Sequence, residues 1–576
     1  MIRRYQIIFP FIIFFFTETY VHSQEPFRPP VEIPVFLSAN FCELRTDHFH
    51  SGIDIKTRGT TGEKVVAAAD GYIYLIIVSP TGFGKALYMR HPSGYSTVYA
   101  HLDSFNPEIE EYVKRHQYQN KSYSVRLYPP KERFVFKQGE LIGYSGNTGS
   151  SAGPHLHFEV RKSAGEKPIN PLIFNFGVED NLKPLIEKLV IYPATKSTRI
   201  NGSSNKLVVN TTGRNGIYKL PGNTTIRIKG TAGFGISCRD LMNNTSNKFG
   251  VNYIELTIDS VQWFTCDLCE FDFSETRYIN AHIDYEAAVR SNIWIHKTFV
   301  LPNDRLSMYR HYMNNGLYDF SDGLTHKIKI TVKDGYGNTS VLNFDVRSEL
   351  VPVTENNQAT ENIREDYTIM PYGKSNTFKS EGIIVNIPRG ALYDTLYFRY
   401  SAERSNHRFL SPVHQVHDRF TPVHKEFTLS IRPDSIPAAG PSKLLIVRID
   451  EKKNLIPAGG TYFTGFITTS VNQFGNYAIA VDTVPPLIIP VNFTQNSDLT
   501  PLKEIRIKIT DNLSGIKEYT GLIDGEWALF EYDPKRDLIF YKFDEERISK
   551  GSKHNLNLTV TDNCGNTSVL KRDFYW

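Results

Sequence analysis

Cysteine is scarce in this chain. Its 576 residues include five: Cys42, Cys238, Cys266, Cys269 and Cys564. That is too few for a disulfide scaffold of this size. Cys266 and Cys269 have metal-like spacing, but no second pair matches them, and a zinc ribbon needs four ligands. A local disulfide or two free thiols is the expectation. An excess of one charge is also missing. Lys and Arg number 65 against 61 Asp and Glu, leaving +4, which gives no footing for a nucleic-acid partner. Long apolar runs are absent apart from Ile7 to Phe16. That run is half the ~20 residues a bilayer span needs. It follows Met1-Ile-Arg-Arg and precedes Val21-His22-Ser23, the layout of a secretory signal peptide over 1–23. No cysteine at the cleavage point suggests lipid attachment. The mature chain is expected to be exported, without a transmembrane segment.

What is present is β-rich. Single cores stop growing at ~250–300 residues, so three or four domains are expected. Short β-branched and aromatic runs such as Tyr72 to Val78 and Tyr95 to Ala100, punctuated by Gly, Asp and Pro, predict antiparallel strands. One helix is predicted over Asn106 to His116, with Pro107 in its first turn and Glu108, Glu110 and Glu111 near its N-terminus. Farther along, KIKITVKDGYGNTSVLNFDV (327–346) and NLNLTVTDNCGNTSVLKRDF (555–574) share a T-V-x-D-x-x-G-N-T-S-V-L core. The likeness extends upstream to Pro184 and Pro486. Two copies of one module are expected, immunoglobulin-like β-sandwiches over 184–350 and 485–576. The first copy is longer, with room for a helix between Asp284 and Asn315. Residues 351–366 read as a polar linker, and 367–483 as a further accessory β domain. The ending Phe574-Tyr575-Trp576 belongs to the last strand.

Four constellations could carry chemistry. In G153-P-H-L-H-F-E-V160, strand alternation puts His155 and His157 on one face. In H50-S-G-I-D54, an imidazole and a carboxylate, both zinc ligands, share a face in extended chain, with Gly52 allowing close approach; His48 could be mistaken for a ligand there. His101 closes the strand-like run Y99-A-H-L102. A glycine-rich stretch, Gly139 to Gly149, precedes the histidine pair. No Gly-Lys-Ser/Thr follows it, so turns beside a cleft explain it better than a nucleotide. Taken singly, each has a bland reading as surface polarity or a strand end.

Their fixed order, HxGxD, YAHL, the glycine-rich stretch and GPHLHFEV, resembles the lysostaphin/LytM-type zinc metallopeptidases, which are peptidoglycan endopeptidases. The resemblance covers Phe41 to Phe174, under a third of the chain. It implies a mostly β protein, with an N-terminal antiparallel β peptidase domain (24–176) followed by the sandwich domains. It implies one zinc, held by His50, Asp54 and His157, with His155 and His101 catalytic and not metal-binding. Three protein ligands suit a catalytic zinc, and the HExxH glutamate of other zinc proteases is absent; a nearby neutral histidine can serve as general base. His155 is the choice, with His101 orienting water or stabilising developing charge, the two roles being open to sharing or reversal. One departure is the insertion from Asp103 to Lys137. The function implied is an exported endopeptidase acting on peptidoglycan stem peptides or cross-bridges, in the periplasm, cell envelope or medium. The alternatives are a non-catalytic envelope protein of the same fold that binds or regulates a cell-wall hydrolase, and a zinc peptidase with a protein target. Envelope proteins or glycans are the partners the C-terminal β domains could contact.

Overall fold

The computed structural model describes residues 27–222, 224–350, 367–404 and 408–576. The expected signal peptide (1–23) and linker (351–366) lie outside the described residues. The chain is mostly β, as expected.

The strands between Leu37 and Ile169 build an antiparallel sheet in the order Leu37–Ala39, Ile53–Lys56, His155–Lys162, Tyr95–Leu102, Lys85–Arg90, Gly71–Val78, Val125–Leu127. The His155–Lys162 strand has one apolar face. Leu156, Phe158 and Val160 are fully buried in a core with Ile53, Ile55 and Tyr99. Each such side chain contributes about 1.5–3 kcal/mol by leaving water. A one-residue slip would turn all of them outward, so burial fixes the register. That same register turns His155, His157 and Glu159 to the opposite face.

The insertion carries a helix, Pro107–Asn120, which ends four residues beyond the expected His116. Asn106 caps it, its side chain accepting from the Ile109 amide at 3.0 Å. Lys121 ends it in the left-handed conformation. Ile109 and Val113 bury its inner face.

The repeated sequences form matching strands. Ile226–Arg239, Tyr253–Ile258, Thr325–Lys333 and Thr339–Ser348 in one copy correspond to Glu504–Thr510, Ile516–Ile523, Lys553–Asp562 and Thr567–Tyr575 in the other. In the second copy two sheets enclose Ile505, Ile507, Leu556, Leu558 and Phe574. In the first copy, helix Tyr285–Ser291, capped by Asp284, occupies the extra stretch. Residues between Thr368 and Val481 form two five-stranded sheets and a short strand pair. All five cysteines are free, so Cys266 and Cys269 are two thiols and not a disulfide.

The sheets interlock. The first copy's strands join in one 13-stranded sheet where two separate sheets were expected, and Phe41 and Phe49 are buried in its core, each within 6 Å of Phe271 by ring centroid. The second repeat copy folds back onto the N-terminal sheet. Lys85 Nζ lies 3.1 Å from Glu531 Oε2, Lys114 pairs with Asp544 at 2.5 Å, and Tyr118 packs edge-on against Trp527.

Candidate metal centre

The HxGxD segment and the histidine strand meet because Asp54 and His157 are directly opposed in register. His157 also faces Ala100 on its other side. Gly52 permits this approach: a Cβ there would stand 2.4 Å from the Phe158 carbonyl oxygen. His157 Nδ1 lies 2.9 Å from Asp54 Oδ1 and 3.1 Å from His50 Nε2, and His50 Nε2 is 3.1 Å from the same Asp54 oxygen. His155 Nε2 stands 3.5 Å from that oxygen.

His101 arrives by another route. Strict alternation would put it on the face opposite Ala100. Its φ is +60°, and the pairing of its strand with Lys85–Arg90 shifts register nearby. The left-handed residue turns the imidazole onto the site face, with ring centroids 4.9 Å from His155 and 5.9 Å from His157. A non-glycine residue held there is strained, a state the surrounding structure must enforce. The glycine-rich stretch helps to enforce it. Cβ atoms at Gly146 and Gly149 would strike the Asp103 amide and Gly84, at 2.3 and 2.4 Å. Backbones therefore pack directly, and the Thr148 carbonyl reaches His101 Nδ1 at 2.9 Å.

Each of the four imidazoles has one nitrogen committed to an oxygen outside the cluster. His50 Nδ1 is 2.7 Å from the Asn40 carbonyl. His157 Nε2 is 3.0 Å from Glu159 Oε1. His155 Nδ1 is 2.8 Å from the Gly153 carbonyl, and His101 Nδ1 faces Thr148. A nitrogen facing an acceptor carries the proton, so in the neutral rings the other nitrogen presents a lone pair inward. This is the arrangement a metal ion requires of its histidines. Two inward nitrogens, from His50 and His157, together with the Asp54 carboxylate, form a donor set that fits zinc.

Electrostatics agree with that fit. Burial alone would raise Asp54, but His50, then His155 and His157, hold it well below the usual carboxylate range. Burial would lower His157, yet Asp54 and Glu159 push it up to about 9. The cluster thus attracts positive charge, and a metal competes there with a proton. Burial, with His157 and His155 beside it, lowers His101 to about 3, so it is neutral at physiological pH. Glu159 is fully buried; burial would raise it, but Arg161, then His157 and Ser51, bring it to about 2.

The structure brings His50, Asp54, His157, His155 and His101 together. His48 is exposed and turned to the Thr46 carbonyl and Asp47. Sequence reasoning missed three supporting groups. Glu159 is two residues beyond His157, and the alternation that paired the histidines could have found it. Arg45, with Nη2 3.7 Å from Asp54 Oδ2, and Asn40 carry no local signal. The Asn40 amide is clamped by Gly250 of the first sandwich through two hydrogen bonds, of 2.7 and 2.9 Å. The neighbouring domain thereby fixes the carbonyl that orients His50.

Residues 48–123 and 120–171 match the profile of Peptidase family M23, and residues 367–482 that of a Zu5-like domain. The chain therefore carries a domain of peptidase family M23, of lysostaphin/LytM type. The DD-carboxypeptidase/endopeptidase Mpg of Neisseria meningitidis serogroup B is 35% identical over 129 residues, 22% of this chain and 23% of that protein. The murein hydrolase activator NlpD of Escherichia coli is 29% identical over 123 residues, 21% and 25% of the two chains. Among solved structures, a zinc-containing peptidase from Vibrio cholerae matches 26% of this chain and 40% of its own at 26% identity, with a TM-score of 0.20. The chain spans about a quarter of the length of these curated relatives.

Proposed function

We propose that the protein is an exported zinc-dependent endopeptidase that hydrolyses peptide bonds in peptidoglycan stem peptides or cross-bridges. The observation that carries this reading is the convergence of a His50/Asp54/His157 donor set with two further histidines whose lone pairs face it. The relative named as a DD-carboxypeptidase/endopeptidase supports the same substrate class. The chemistry a zinc ion supplies at such donors is Lewis acidity toward a carbonyl and toward water.

His50, Asp54 and His157 are the proposed ligands. His155 is the proposed general base: its Nδ1–H is held by Gly153, leaving Nε2 to accept a proton. His101, neutral and held by Thr148, also presents an acceptor. That favours orienting water over donating to a developing oxyanion. The domain division is part of this reading: a peptidase domain over 24–176, sandwiches over 184–350 and 485–576, and an accessory β domain over 367–483. The last sandwich forms one wall of a cleft of about 720 Å³ whose other wall includes Asn147, Ser151 and Pro154, next to the histidines. It is placed to position cell-wall peptides or strands there. Among the described residues no helix is long and apolar enough to cross a membrane, and the periplasm or cell envelope is the proposed location.

The test is mass spectrometry of fragments released from defined peptidoglycan by the zinc-loaded protein and by His155→Ala. Release by wild type and its loss in the variant are expected. Wild-type protein that holds one zinc and releases nothing would count against the reading. The identity to a murein hydrolase activator favours a second one, a non-catalytic regulator of another hydrolase. A His50→Ala protein that keeps the full cellular role would establish it.

A further inference from the structure

Away from the histidines, two groups of three aspartates occupy equivalent places in the two sandwich copies. They are Asp180, Asp240 and Asp334, and Asp482, Asp511 and Asp562. Within each group one carboxylate oxygen per residue lies within 4.8 Å of the others. Asp334 and Asp562 are the aspartates of the repeated T-V-x-D-x-x-G-N stretch. Asp180 and Asp482 stand four residues before Pro184 and Pro486. Asp240 and Asp511 follow directly on the matching strands Ile226–Arg239 and Glu504–Thr510.

The framework around each group is the same. Asp334 Oδ1 accepts from the amides of Tyr336 and Asn338, and Oδ2 from the Asn338 side chain, which also donates to the Asp180 carbonyl at 3.1 Å. Asp562 Oδ1 accepts from Cys564 and Asn566, and Oδ2 from the Asn566 side chain, which donates to the Asp482 carbonyl, again at 3.1 Å. Those bonds explain a turn.

They do not explain Asp240. It is 0% exposed, and neither carboxylate oxygen accepts a hydrogen bond of normal geometry. Its charged neighbours are Asp334 and Asp180, both of its own sign. Asp180 Oδ2 is likewise buried and without a partner. Buried carboxylates are ordinarily paired or bound to a metal. Here the backbone holds Asp240 in place, through a two-way bridge between its own N–H and carbonyl and those of Phe249, and its carboxylate is directed into the group.

We propose that Asp180, Asp240 and Asp334 bind a calcium ion. The donors are all oxygen, with no imidazole or thiolate among them, which selects a hard cation and separates this site from the histidine centre. Asp180 belongs to the segment entering the sandwich, Asp240 to a strand end and Asp334 to a turn. A shared ion ties the three together where the peptidase sheet passes to the first sandwich. The inference stands whether or not the protein is a peptidase.

The full-length zinc-loaded protein, freed of calcium, would be examined by equilibrium dialysis with radioactive calcium over a background of magnesium, and by thermal melting. Calcium is raised to roughly tenfold above the ~10⁻³ M limit typical of extracellular sites. Wild type is expected to bind calcium and to melt several degrees higher with it. Asp240→Asn should bind one calcium fewer per chain, and the melting rise due to this site should vanish. Without calcium it should melt no lower than wild type, because burial, with Asp334 and Asp180 beside it, raises Asp240 to about 9, so a neutral acid is exchanged for a neutral amide of the same shape. Should that variant misfold, Asp180→Asn reads the same loss at a less buried position. No calcium bound to wild type, equal displacement by magnesium, or unchanged stoichiometry in the folded variant would each overturn the proposal.

Discussion

Asp54 and His157 face each other across two antiparallel strands, with Oδ1 and Nδ1 2.9 Å apart. His155, two residues earlier on the same strand face, keeps its Nδ1 on Gly153 and its Nε2 3.5 Å from the same oxygen. The two histidines of one strand therefore hold different positions, and their loss should have different consequences. His157→Ala is expected to lose zinc, read by elemental analysis of the purified protein. His155→Ala is expected to keep one zinc and to lose about 10²–10⁴-fold in turnover. Equal metal loss in both variants would refute the division.

Glu159 deserves its own substitution because it touches the site only through His157. Glu159→Gln keeps the shape but removes the charge that holds His157 Nε2–H. Zinc affinity is expected to fall about 10- to 100-fold, measured by competition with a chromogenic chelator. Arg161, whose Nε is 2.5 Å from Glu159 Oε2, loses its buried counter-charge too, so the variant should melt lower. Unchanged affinity would show that the Glu159 contact does not tune the metal.

How much of this was readable beforehand depended on whether the signal was local. Alternation along 155–162 placed His155 and His157 together, and the same period carried Glu159. His101 defeated the period: counted from Ala100 it belongs on the far face, and only a positive φ and a register shift return it. The family resemblance pointed to it where periodicity could not. The interlocking of domains was not legible at all. Phe41 and Phe49 look like strand residues of the peptidase segment, yet their burial is completed by Phe271, more than two hundred residues later. Contacts of that separation leave no local pattern. The repeated D-x-x-G-N stretch was visible as a repeat, but the third aspartate of each group lies at the end of a different strand and is united with it only by folding.

That interlocking has a consequence for the metal. His50 follows Phe49, whose ring is 5.9 Å from Phe271, and Asn40, which orients His50, is clamped by Gly250. Phe271→Ala removes a fully buried ring and should cost about 3–5 kcal/mol. It should also weaken zinc binding by roughly 5- to 10-fold, the low end of ordinary coupling between sites, although Phe271 touches no ligand. Titration of zinc into the folded variant checks this. A loss of stability with full zinc affinity would show that the first sandwich does not position His50.

The last sandwich is held by a buried ion pair with a definite pH window. Glu531 accepts from Lys85 at 3.1 Å and from Lys542 at 3.0 Å. Burial would raise Glu531, but Lys85 and then Lys542 lower it below the usual carboxylate value. Burial would lower Lys85, but Glu531 outweighs it and raises the amine. A lowered carboxylate contributes stability above its ordinary pKa, ~4.3, and loses it as pH falls through the depressed value. A raised amine contributes below its ordinary value, ~10.4, and loses it as pH rises through the elevated one. The pair should therefore hold the sandwich from about pH 5 to about pH 10 and release it in acid. Glu531→Gln leaves Lys85 buried without its counter-charge, at a cost of about 3–5 kcal/mol near neutrality. Melting temperatures of wild type and Glu531→Gln should differ at pH 7 and converge as pH falls through the depressed Glu531 value, where both side chains become neutral. A difference that persists undiminished at pH 3 would mean that the packing of the Glu531 side chain, and not its charge, holds the two domains together.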